Sequence, residues 1–162
     1  MRGYDFEKQF KQPFEYVVSV LRALNFKVTN SRHFLRGITD PLQAMGQVPL
    51  TWPQPNGFPD VADEWMGGLL DRWNLALAAV TDEIPGARMD FEPILDLMTA
   101  RQIPMEIGAM LGFMGRYLLG RDLTSDEQNI VVDFARQSAS DVQTQLAFGT
   151  ALLLASPAFQ YR

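Results

Sequence analysis

An all-α fold, a compact bundle of about seven helices interrupted by one long loop rich in proline and tryptophan, follows from three observations. Apolar residues recur at i, i+3, i+4 and i+7 through most of the chain, the spacing of a helix face. No stretch of strand length alternates Val, Ile or Thr with polar residues. No longer period repeats, which excludes a solenoid. With 162 residues, 47% of them hydrophobic, the chain is expected to form a single domain with a substantial core.

The first helix is expected from Pro13, which suits the first helical position, with Phe14, Val17, Val18, Leu21 and Leu24 as its stripe. A second runs from about Ser31 to Met45 on Leu35, Ile38, Leu42 and Met45. Pro41 is expected to kink or restart it with Asp40 as cap, and Gly46 to close it. The text QVPLTWPQPNGFP (47–59) holds four prolines and an Asn-Gly pair, so it is a stiff aromatic loop. Asp60 or Asp63 then begins a helix carrying Trp65, Leu69, Leu70, Trp73, Leu77 and Val80, ended by Ile84-Pro85-Gly86. Asp90 is expected to cap a short helix with Phe91, Ile94, Leu95 and Met98, and Pro104 to open the most apolar one, closed by Gly120. Thr124 and Glu127 match a capping box before Ile130, Val131 and Phe134. Asp141 starts the last helix, with Leu146, Phe148, Leu152 and Leu154, stopped by Ser156-Pro157.

Composition excludes several functions. The net charge is −5, and all three lysines (Lys8, Lys11, Lys27) fall near the start, so there is no basic stripe to neutralise phosphates and nucleic acid is not an expected partner. The longest apolar run, Ile107 to Met114, is far short of the roughly 20 residues of a transmembrane helix. The opening MRGYDFEKQFKQ does not have the form of a signal peptide. Without cysteine there is no disulfide or thiolate site, and with one histidine, His33, there is no two-histidine zinc site. His33 lies between arginines in NSRHFLRG, where a solvated imidazole is the expectation. No metal, no cofactor and no catalytic residue are assigned.

Carboxylates cluster as Asp60/Asp63/Glu64, Asp82/Glu83 and Asp122/Asp126/Glu127. The first and third stand at expected helix starts, where the macrodipole and free N–H groups favour acids. Gly108, Gly112 and Gly115 share a helix face and are expected to mark the close approach of another helix, with Leu146 to Leu154 as partner; a small ligand against bare backbone is the alternative. The proline loop either plugs the core with its rings, burying Trp52, or presents them to a sugar or a proline-rich peptide. The candidate binding residues are Trp52, Phe58, Trp65, Arg72 and Trp73.

The blocks PFEYVVSVLRAL (13–24), LQAMGQVPLTWPQPNGFPDVADEWMG (42–67), DRWNLAL (71–77) and ALLLASPAFQYR (151–162) resemble, in order and spacing, the C-terminal part of the bacterial domain of unknown function 1800 family. That resemblance brings no established reaction. It implies longer, often exported proteins with an N-terminal helical half, so the chain looks like a C-terminal portion whose partner is another protein of the envelope or that missing half. The leading expectation is a non-catalytic helical binding or scaffolding module. The alternative is a glycan-directed hydrolase using carboxylates near Asp60 to Glu64 beside Trp52 and Trp65, which requires two carboxyls roughly 5 to 10 Å apart in one cleft.

Overall fold

The computed structural model describes residues 9–59 and 62–161. Among these the chain forms eight α-helices: α1 (Pro13–Ala23), α2 (Ser31–Ala44), α3 (Leu69–Val80), α4 (Glu92–Ala100), α5 (Ile107–Leu119), α6 (Ser125–Ser138), α7 (Val142–Ala155) and α8 (Pro157–Gln160). A two-residue antiparallel ladder pairs β1 (Lys27–Val28) with β2 (Ala87–Arg88). This ladder and the short α8 are additions to the sequence expectation.

Capping explains most boundaries. Asn30 Oδ1 accepts the His33 N–H at 3.1 Å and starts α2. Pro41 neither stops nor restarts that helix, which runs through it to Ala44, and Asp40 is an interior residue. The Thr124–Glu127 capping box closes as expected, with both reciprocal bonds present (3.2 and 2.8 Å), and Asp141 accepts the Thr144 N–H at 2.8 Å to start α7. Gly120 ends α5 at φ 68°. Three starts differ. Asp90 is not a cap: its carboxylate takes Asn25 Nδ2 (3.3 Å) and Lys27 Nζ (3.7 Å), and Phe91 holds the N-cap position of α4. The helix expected from Asp60 or Asp63 is two 3-10 turns (Ala62–Glu64, Met66–Gly68) before α3, because adjacent Gly67 and Gly68 each disfavour helix by about 1 kcal/mol; Asp60 lies outside the described residues. Pro104 precedes α5 rather than opening it.

Two apolar clusters share α7. Tyr16, Val17, Val20 and Leu24 of the α1 region pack with Leu42, Leu75, Ala79, Ala151 and Leu154. Ile94, Met98, Met110, Leu111, Met114, Val131 and Ala135 pack with Leu146 and Leu153. The buried face of α1 is thus rotated from the expected stripe: Phe14 is exposed, and Tyr16 is fully buried because its hydroxyl finds backbone carbonyl acceptors. Gly86 fixes the approach of α2, with φ 72° and a carbonyl that accepts both the Thr29 and Asn30 N–H groups at 2.9 Å.

The glycine row of α5 does not face α7. Gly108 has open space beside it, Gly112 faces the Gln128 amide of α6, and Gly115 is covered by the Leu123 side chain. The close approach of α5 and α7 is made instead by Gly149, where an added β-carbon would lie 2.5 Å from Leu111 Cδ2 and 3.2 Å from its Cγ. Leu111 is fully buried and has nowhere to move. Gly149→Ala is therefore expected to destabilise by about 1–3 kcal/mol through overpacking. Gly108→Ala is expected to stabilise by up to about 1 kcal/mol from helix propensity. Urea denaturation of the two variants checks the opposite signs.

Candidate functional site

Three places gather the candidate residues. The first is a buried knot where residues 10–12 meet residues 159–161. Arg72 of α3 has no exposed surface. Its Nη1 donates to Gln160 Oε1 (2.9 Å) and its Nη2 to the Lys11 carbonyl (2.7 Å), while the guanidinium lies over the rings of Phe10 (4.5 Å) and Tyr16 (5.0 Å). Lys11 N–H donates to the Gln160 carbonyl at 2.7 Å, Lys11 Nζ to the Phe159 carbonyl at 2.6 Å, and Phe10 bridges to Tyr161. Burial pushes Arg72 down to about 10 and Lys11 down to about 8, the latter against the pull of nearby Glu15. The fork of Arg72 is thus committed inside the protein, and it presents no surface to a ligand.

The second is the proline loop. Trp52 is 37% exposed rather than buried, so the core-plug expectation does not hold for that ring. It packs on Phe58 (centroids 4.9 Å apart), which packs on Trp65 (6.1 Å). Only Trp65 reaches the interior, with Nε1 donating to the Pro59 carbonyl at 3.0 Å. A ring at the tip of an exposed loop finds no wall to plug, since the loop's buried anchor is Gln47, whose Oε1 accepts the Phe14 N–H at 2.8 Å. Of the acids of the hydrolase alternative, Asp63 and Glu64 are exposed on the 3-10 turn.

The third, which the sequence did not reveal, is an apolar cleft of about 580 Å³ between α3, α6 and α7. Trp73 and Leu77 form one wall, Ile130 and Phe134 the other, and Phe148 and Leu152 the floor. Trp73 is half-exposed and fixed by its Nε1, which donates to the Ala155 carbonyl at 3.1 Å. The one carboxylate in the lining, Glu127, is saturated. Arg121 grips both its oxygens (2.7 and 2.8 Å) and Thr124 N–H donates to one, holding it down at about 2. It stays ionised at neutral pH and has no second acid beside it in the cleft. Among the described residues no group of acids and histidines is arranged to hold a metal, and no helix is long and apolar enough to cross a membrane.

Fold and cleft together define an all-α protein with an apolar slot whose lining holds one carboxylate, Glu127, among the described residues. The chain belongs to the family described as protein of unknown function (DUF1800), whose pattern matches residues 2–161. Neither a curated protein nor a solved structure matches it.

Two outcomes follow. Trp52→Ala is expected to cost about 1 kcal/mol or less, the scale of one exposed aromatic pair, whereas a buried tryptophan costs about 3–5 kcal/mol; chemical denaturation separates the two. The knot gives an alkaline signature. Burial raises Tyr16 far above its ordinary value of 10, against the opposing effects of Gln160 and Arg72. Above about pH 10 the unfolded chain releases this proton and the native state keeps it, so stability falls as pH rises. Lys11, depressed to about 8, acts in the opposite direction between about pH 8 and its unfolded value, and Arg72, depressed to about 10, does so above pH 10. Tyr16→Phe is expected to flatten the decline in urea midpoint above pH 10, measured from pH 8 to 11.

Proposed function

We propose that this protein is a non-catalytic helical binding module whose α3–α6–α7 cleft receives an α-helix of a protein partner. One observation carries the reading: three helices turn stripes of helical spacing onto the same unfilled space. These are Trp73 and Leu77 (i, i+4) from α3, Glu127, Ile130 and Phe134 (i, i+3, i+7) from α6, and Phe148, Leu152 and Ala155 (i, i+4, i+7) from α7. Such stripes form the ridges between which another helix packs. From Glu127 to Phe134 the wall runs about 10 Å, two helical turns, which matches an anchor set at i, i+3 or i+4, and i+7.

The chemistry of the lining favours protein over a polar small molecule. Sites for sugars and metabolites place several convergent polar groups among apolar walls. Here the polar atoms at hand are already bonded: Glu127 to Arg121, Trp73 Nε1 to Ala155, and the Ser156 hydroxyl to the Leu153 carbonyl at 2.6 Å. Trp73, Leu77, Ile130 and Phe134 are 51, 42, 63 and 41% exposed, a contiguous apolar patch of the kind that marks an interaction surface.

A stapled helical peptide of about four turns, with leucine anchors and glutamine elsewhere, tests the reading. It is expected to bind saturably and to shift the fluorescence of Trp73, a signal that disappears in Trp73→Phe. Ile130→Asp puts a charge into the apolar wall and is expected to weaken binding at least tenfold, about 1.4 kcal/mol, with little change in stability at so exposed a position. Absence of saturable binding, or binding that ignores Ile130→Asp, rejects the proposal.

A further inference from the structure

We infer that the helix received by the cleft is basic along one flank only, the flank that faces α6. The inference rests on the helix-docking reading above and specifies the partner's charge pattern. On α6, Asp126, Ile130 and Asp133 stand at i, i+4 and i+7 and so lie in one row along the helix surface. Ile130 lines the cleft and is the most exposed of its large apolar residues, so its two neighbours in that row, themselves outside the lining, flank the opening. Both aspartates are exposed, and neither joins an ion pair among the described residues.

Of the nearby cations two are engaged, and the third, Arg136 on α6, is exposed at i+3 from Asp133, on the side of that residue away from Ile130. Arg121 is bound to Glu127, and Arg116 to Asp122, with Nε 2.7 Å from Oδ1. The only cation on α3 is the buried Arg72, and α7 and α8 contain no charged residue. The row of α6 nearest the cleft therefore carries two carboxylates, with Arg136 behind Asp133, and the α3 edge, formed by Leu70, Trp73, Asn74 and Leu77, is neutral. Asp126 has a structural use in the first turn, where the helix dipole favours an acid. Asp133, in the middle of α6, has only Arg136 at i+3 as a charged neighbour on its own helix and forms no ion pair with it. Its carboxylate stands two turns from that of Asp126, about 10 Å, a separation that lysines or arginines at i and i+7 of a docked helix match. The same sign of charge disfavours the other occupant of an apolar cleft, an anionic lipid surface.

Three peptides of the stapled leucine-anchored series test this: one with lysines at i and i+7 on one flank, one with glutamines there, and one with glutamates. Fluorescence anisotropy at low and high salt is the readout. The lysine peptide is expected to bind roughly three- to tenfold tighter than the glutamine peptide and the glutamate peptide weaker, as two exposed ion pairs imply. The lysine advantage is expected to vanish in Asp126→Asn/Asp133→Asn, to shrink by about half in Asp133→Asn alone, and to fade with salt. Equal affinity of the three peptides, all blocked by Ile130→Asp, overturns the basic flank and leaves helix docking in place. Failure of every peptide to bind overturns both. Lysine-peptide binding that survives Ile130→Asp is non-specific attraction to an acidic protein and also overturns the inference, as does saturable binding to phosphatidylglycerol vesicles that Ile130→Asp abolishes.

Discussion

The rest of the structure depends on α7, which has apolar residues on every side and no charged one in VQTQLAFGTALLLA. A helix of that kind is stable only when surrounded. Its neighbours are α3, α5, α6 and α8, and both apolar clusters draw on it, through Ala151 and Leu154 on one side and Leu146 and Leu153 on the other. Gly149 lets the buried Leu111 of α5 reach the backbone of α7. The cover is incomplete along Phe148, Leu152 and Ala155, which remain half-buried. The cleft is thus the remainder of a packing problem: the described residues supply walls for this face of α7 and leave it uncovered.

Arg72 determines how firmly the first wall stands. An apolar residue of similar volume would fill the same space, yet only a guanidinium fork reaches the Lys11 carbonyl and the Gln160 amide at once, and so ties α3 to both ends of the chain. Among the described residues no carboxylate pairs with this guanidinium and Nε has no hydrogen-bond partner, so burial is offset by directed bonds and by the Phe10 and Tyr16 rings. At the next position Trp73 bonds the Ala155 carbonyl, so the wall of the cleft and the end of its floor are held by adjacent residues of one helix.

Features set by local chemistry were legible in the sequence. The Thr124–Glu127 box, the Asp141 cap, the Gly120 stop and the Ser156-Pro157 break all act within a few residues, and each is found in place. Features set by distant partners were not. Asp90 has the form of a cap, but Asn25 and Lys27 claim its carboxylate across a gap of more than sixty residues. The Gly108–Gly112–Gly115 row correctly marked a thin face on α5 and not what covers it, which proved to be Gln128 and Leu123. Tyr16 and Arg72 hide from periodicity because a polar residue enters a core only when its partners, here at 154 and 160, are known. Trp73 alone of the five candidate binding residues lines the cleft, and its helical spacing was readable while its exposure was not. A helical stripe says that a face is apolar; which neighbour covers it, or whether none does, is a property of the whole packing.

An apolar cleft is ordinarily expected to close, since its walls lose free energy by facing water. Here the walls are held by anchors that do not involve the cleft. The α3 wall is fixed from behind by Arg72 and the chain ends. The α6 wall is fixed at its start by the capping box, by Arg121 on Glu127, by Leu123 seated over Gly115, and by Gln128 Nε2 donating to the Gly108 carbonyl at 2.7 Å. Sliding either helix inward would break directed hydrogen bonds, several of them charged, to gain undirected apolar contact. Cores so constrained do not deform continuously. The slot is therefore held open with its rings already oriented, and under the helix-docking proposal this lowers the ordering cost of binding. That separation of anchors from lining is why the cleft keeps its shape although its walls are apolar.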